Sequence, residues 1–123
     1  MTRRALLLPA LLLTTAAGAG PTPAPVRAEI DGLMAELRAG ACRFQRNGSW
    51  HGLDEAQKVL AYKLQKLEDQ TTLTRTEDFI DQAATRSSST GQAYQVQCGQ
   101  GPIEPAGAWL HAALKRLRAA RAR

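Results

Sequence analysis

Ser87-Ser88-Ser89-Thr90-Gly91 is the stretch whose side chains come nearest to chemistry. A run of hydroxyls before a glycine can cradle an anion or present a nucleophile. Ser88 or Ser89 can be written with His51 as base and Asp54 as orienting group, yet no G-x-S-x-G or S-x-x-K accompanies them. The run also follows a predicted helix C-terminus, where the dipole is negative, whereas phosphate sites use N-terminal amides. Helix exit and turn chemistry, with Gly91 at positive φ, account for it more simply. His51 and His111 are the only histidines, and Cys42 and Cys98 the only cysteines, with no C-x-x-C and no metal-ligand spacing. No catalysis, metal or cofactor is therefore expected.

The cysteines take their meaning from the N-terminus. Met1-Thr2-Arg3-Arg4 is a short basic stretch, Ala5 to Leu13 is apolar apart from Pro9, and Thr14 to Ala19 is built of small residues. This pattern predicts a signal peptide over 1–19, cleaved after Ala19 or alternatively after Ala28, and a periplasmic or secreted location. The apolar run is far short of a membrane span. Residues 20–27, with Pro21, Pro23 and Pro25, read as a stiff extended linker. A single domain over 28–120 and a basic tail over 121–123 complete the layout. In an oxidising compartment the two thiols are expected to form a disulfide, worth on the order of 4 kcal/mol in the chain-entropy account.

The elements that position these groups follow from periodicity. Ile30, Leu33, Met34 and Leu37 predict a first helix over 28–38, with Gly40 as its stop. Asn47-Gly48 predicts a two-residue type I′ turn in a hairpin over 42–51. Alternation then sends Cys42, Phe44 and Arg46 to one face, and Trp50 is expected to join Phe44 inside. Leu53, Ala56, Leu60, Leu64 and Leu67 mark the longest helix, flanked by Val59 and Lys63. Thr74-Arg75-Thr76-Glu77 fits a capping box before a third helix ending near Arg86. Tyr94, Val96 and Cys98 alternate in a strand over 93–98, and Glu104-Pro105 is expected to open a last helix carrying Trp109, Leu110, Ala113, Leu114 and Leu117. The expectation is an α+β fold of about four helices on a short antiparallel sheet whose outer strands are joined by Cys42 and Cys98.

The chain has 16 basic and 11 acidic residues, a formal net charge of +5. Arg3, Arg4 and Arg27 precede the predicted domain, while Lys115, Arg116, Arg118, Arg121 and Arg123 crowd its end with no acid among them. The charge thus belongs to two ends and does not argue for nucleic acid. Two surfaces are candidates. Arg43, Arg46, Asn47, Ser87, Ser88 and Gly91 are expected to form one rim, suited to a protein or cell-envelope partner in a binding or inhibitory module. Lys115, Arg116 and Arg118 offer the alternative, peripheral contact of an envelope-associated structural protein with anionic lipid or polymer.

From Cys42 onward the residues resemble the YfeK-like family of small exported bacterial proteins. The resemblance rests on Cys42-x-Phe44-x-Arg46-Asn47-Gly48-x-Trp50, Glu55-Ala56, Lys63, Thr76-Glu77-Asp78-Phe79-Ile80, Ala84-x-Arg86-Ser87-Ser88, Gly91, Tyr94-x-Val96-x-Cys98 and Trp109-Leu110. That family has a histidine where this chain has Val59 and usually an aromatic where it has His51. The resemblance implies an exported domain with an internal disulfide and no assigned activity.

Overall fold

The computed structural model describes residues 20–123. The predicted signal peptide lies outside the described residues. Helix α1 (Ala24–Ala39) leads into strands β1 (Cys42–Arg46) and β2 (Ser49–His51), followed by α2 (Leu53–Gln70) and α3 (Thr76–Ala83). Strands β3 (Gln95–Cys98) and β4 (Ile103–Pro105) and helix α4 (Ala106–Arg121) complete the chain. The sheet is antiparallel throughout, in the order β2-β1-β3-β4. The fold is therefore α+β, with four helices, one small sheet and a Cys42–Cys98 disulfide.

Helices α1, α2 and α4 contact the sheet, and α3 packs against all three of them. Phe44, Tyr94 and Val96 project from the sheet into the core, the rings of Phe44 and Tyr94 meeting edge to face at 5.3 Å. Leu33, Leu37, Leu60, Leu64, Phe79, Ile80, Leu110 and Leu114 come in from the helices. Small Ala83, Ala84 and Ala113, all fully buried, let α3 and α4 approach closely. Gly32 does the same on α1, because a Cβ there would lie 3.2 Å from Leu117 Cδ1.

Several expectations need correction. Residues 20–27 are not all linker: α1 begins at Ala24, with Pro23 as N-cap and Pro25 inside the first turn, and Val26 is buried. A proline in the first turn costs no intrahelical hydrogen bond, so it marks the start of this helix. The disulfide joins the two central strands, with Cys42 directly opposite Cys98. Ile103 to Pro105 forms an unforeseen edge strand, so Pro105 precedes α4 as its N-cap. The capping box expected of Thr74 and Glu77 does not form: the N-cap of α3 is Arg75, with no side-chain cap bond, and the Glu77 carboxylate accepts from Arg118, while the hydroxyl of Thr76 donates to Glu29 Oε1 at 2.6 Å. Helix α3 ends at Ala83, short of Arg86.

Trp50 is also displaced from its expected place. The turn has Asn47 at φ 51° and Gly48 at φ 82°, as expected of type I′, and it pairs Arg46 with Ser49, Gln45 with Trp50 and Phe44 with His51. Trp50 consequently shares the outer face with Gln45 and Arg43, and the Arg43 guanidinium lies 4.4 Å from its ring centroid. The residue on the inner side of β2 is His51.

Candidate functional site

The tip of the β1–β2 hairpin and the segment between α3 and β3 are built as one unit. Thr85 O accepts from Tyr94 N, Ser87 N donates to Gln92 O, and Gly91 N donates to Ser87 O, each at 2.9 Å. Gly91 takes φ 73°, as its place in the turn requires. Asn47 then reaches across from the hairpin. Its Nδ2 donates to Ser87 Oγ at 3.3 Å, and its Oδ1 accepts from Thr90 Oγ1 at 2.6 Å. Ser87 is buried, and its Oγ lies 3.0 Å from Ser89 Oγ. One asparagine therefore makes the turn and clamps a loop about forty residues away in sequence.

Beneath this rim lies Lys63 of α2. Its Nζ donates to Arg86 O at 2.8 Å and to Tyr94 Oη at 3.2 Å, and it stands 4.9 Å from the Tyr94 ring centroid. Burial, reinforced by the nearby Arg46 charge, lowers the Lys63 pKa, and burial raises that of Tyr94. His51 Nδ1 sits 3.1 Å from Glu55 Oε2. Together with Phe44, Arg46 and Tyr94 they close a cleft of about 20 Å³, room for little more than a water. On the other side of Lys63, a groove of about 330 Å³ runs between α2 and the 82–88 segment, lined by Tyr62, Lys63, Lys66, Gln70, Gln82 and Ser88 among others.

The set that can be written from Ser88 or Ser89, His51 and Asp54 is not brought together. His51 pairs with Glu55, while Asp54 accepts from Arg38 Nη2 at 2.9 Å, which lowers the Asp54 pKa. Of the rim residues, Asn47, Ser87 and Gly91 form the clamped unit, Arg46 stands beside Lys63 and Tyr94, and Ser88 opens onto the groove. Arg43 is absent from the rim, because it lies on the outer sheet face, bonded to Gln97 Oε1.

On α4 the basic residues are divided. Arg118 donates from Nε and Nη2 to Glu29 at 2.9 and 3.0 Å and from Nη1 and Nη2 to Glu77 at 3.0 Å. Arg121 adds a bond to Glu29 at 2.6 Å. Arg118 is the largest cause holding both Glu29 and Glu77 down to about 2. It ties α1, α3 and α4 together and is spent inside the fold, whereas Lys115 and Arg116 are exposed and form no ion pair among the described residues.

Residues 24–118 match the family of unknown function DUF5329. The chain belongs to that family. The match begins at the first residue of α1 and ends in the last turns of α4, so the DUF5329 domain is the whole unit described above. No curated protein and no solved structure matches the chain.

Sequence reasoning overlooked the roles of two residues of this DUF5329 site. The apolar periodicity makes Lys63 only a flank of the α2 stripe, and its presence among the residues that carry the family resemblance is the one signal that it matters. Glu55 has Val59 four positions on along the helix, and its partner His51 lies four positions back, outside the helix, where helical spacing gives no signal.

Proposed function

We propose that the protein is an exported, disulfide-stabilised module that binds or inhibits a partner through the hairpin and loop rim, and that it is not an enzyme. The observation that carries this reading is the Asn47 clamp. It holds exposed loop residues in one arrangement before any partner arrives, so less conformational entropy is lost on binding. Export is supported by the N-terminal sequence pattern, by the resemblance to the YfeK-like proteins and by the disulfide, which persists in an oxidising compartment.

The test is capture of partners from exported and envelope fractions by the oxidised protein, against Asn47→Ala and Arg46→Ala variants. Loss of capture by Arg46→Ala at an unchanged melting temperature supports the rim, Asn47→Ala being expected to lose stability as well because Asn47 holds φ 51° and the loop clamp, and capture indifferent to both variants overturns it. A second reading, peripheral attachment to anionic lipid or polymer, is favoured by Lys115 and Arg116, which are exposed and form no ion pair among the described residues. It requires that Lys115→Gln with Arg116→Gln, rather than the rim variants, abolish salt-sensitive binding.

A further inference from the structure

We propose that the groove between α2 and the 82–88 segment binds an acidic saccharide, a reading that rests on the protein being a binding module. Lys63 and Lys66 line this groove, and no carboxylate does. Arg46 stands close enough to lower the Lys63 pKa, and the carbonyl of Arg86 takes the Lys63 proton donor. None of these four basic residues forms an ion pair with a described carboxylate, although Arg27, Arg38, Arg75, Arg118 and Arg121 all do. Positive charge without a described carboxylate partner thus lies along a groove, unlike that of Lys115 and Arg116 on exposed α4, and a ligand carboxylate would meet it there.

The remaining lining selects among anions. The Ser87, Ser89 and Thr90 hydroxyls are consumed by the Asn47 clamp and by each other. Ser88, Gln70, Gln82 and the Tyr62 hydroxyl instead form no side-chain hydrogen bond with other described residues, and all four line the groove. Tyr62 is 60% exposed, one of two large hydrophobic side chains so placed on the described surface. Lys66 Nζ lies 5.4 Å from the Tyr62 ring centroid, so an exposed ring and an ammonium stand together beside amides and a hydroxyl, a set that suits the C–H face, carboxylate and hydroxyl groups of an acidic sugar. A phosphate is a poorer fit. The amides of Ser87, Gly91 and Gln92 are spent on Gln92 O, Ser87 O and Thr90 Oγ1, and the lysine ammonium groups that line the groove lack the arginine fork. At about 330 Å³ the groove is large enough for a small ligand.

The experiment is a heteronuclear NMR titration of the oxidised protein with trigalacturonate, with maltotriose as its neutral counterpart and with inorganic phosphate. Saturable shifts at Tyr62, Lys66, Gln70, Gln82 and Ser88 are expected with trigalacturonate, with maltotriose and phosphate at least about tenfold weaker. Lys63 also supports the loop, so the decisive variant is Lys66→Gln, which should weaken binding about fivefold at an unchanged melting temperature. Equal affinity for phosphate, shifts mapping to Lys115 and Arg116, or no saturable shift would overturn the proposal. Rim-dependent capture of a partner in the same preparation would then show that the ligand assignment had failed and the binding-module reading had not.

Discussion

Replacing Arg118 by methionine tests whether the three-helix ion network holds the fold. The substitution keeps much of the aliphatic stem and removes the guanidinium, leaving Glu29 with Thr76 and Arg121, and Glu77 with Arg75. A carboxyl displaced from its ordinary 4.5 to about 2 corresponds to about 3 kcal/mol of gross interaction. That figure must be discounted, because the Arg118 side chain is 41% exposed and water screens it. Glu29, at 11% exposure, keeps more of its share than Glu77 at 24%. The expected loss lies between that of a surface pair and a buried one, about 2 kcal/mol, or roughly 10 °C in melting temperature for a domain of this size. The assay is thermal and urea unfolding of the oxidised protein, followed by circular dichroism from pH 7 to pH 2. Both folded pKa values are depressed, so the contribution is fully present above 4.5 and is lost as pH falls toward about 2. The gap between wild type and variant should close over that window. An unchanged melting temperature at pH 7, or a gap that persists at pH 2, would refute the reasoning.

Removing the cross-link with Cys42→Ser and Cys98→Ser releases a constraint across 56 residues and should cost about 4 kcal/mol, read from urea unfolding with the slope fitted for each protein, because the released unfolded chain is less compact. Gly40→Ala should destabilise by about 1–3 kcal/mol, because the new Cβ would lie 2.9 Å from Cys42 Sγ, which the disulfide prevents from moving aside. Its neighbour behaves oppositely: Ala41 holds φ 49°, so Ala41→Gly should raise stability by about 0.5–1 kcal/mol in the same assay. Gly20 N donates to Glu68 O near the end of α2, which has no basic residue in its last turn. A chain cleaved after Ala19 would place its ammonium there, and acetylating it should lower stability by about 0.3–1 kcal/mol, measured on protein with that start confirmed by mass.

What was legible in the sequence was local or tied to a compartment. Asn47-Gly48 specified its turn because few dipeptides accept two positive φ angles, and the alternation of Tyr94, Val96 and Cys98 specified the strand opposite β1. The cysteine pairing followed from there being only two. Strand β4 was not legible, since three exposed residues carry no periodicity and owe their conformation to the edge of β3. Trp50 was misplaced although the turn already implied the answer. With Arg46 opposite Ser49, the register puts Trp50 beside Gln45, and a large aromatic does not override a hydrogen-bonded ladder. The capping box failed for a different reason. Thr76 and Glu77 satisfy partners 47 and 41 residues away, and no local pattern encodes a competitor at that distance.

The same long-range pairing changes how the basic C-terminus must be judged. In the sequence, Lys115, Arg116 and Arg118 form one cationic surface, and truncation after Leu114 looks like a clean way to remove it. In the fold, that cut also deletes Leu117, which packs against the core beside Gly32, and Arg118, which joins three helices. A truncated protein that failed to bind envelope would therefore report lost stability as readily as lost charge. Only substitutions confined to Lys115 and Arg116 separate the two, because neither forms an ion pair among the described residues and the contact of Arg116 with the Trp109 ring, at 5.7 Å, lies at the outer limit of a cation–π attraction. The charge that the helix can offer a partner is smaller than its composition suggests. Lys63 and Lys66, which share a groove and form no ion pair among the described residues, accordingly become the stronger pointer to function.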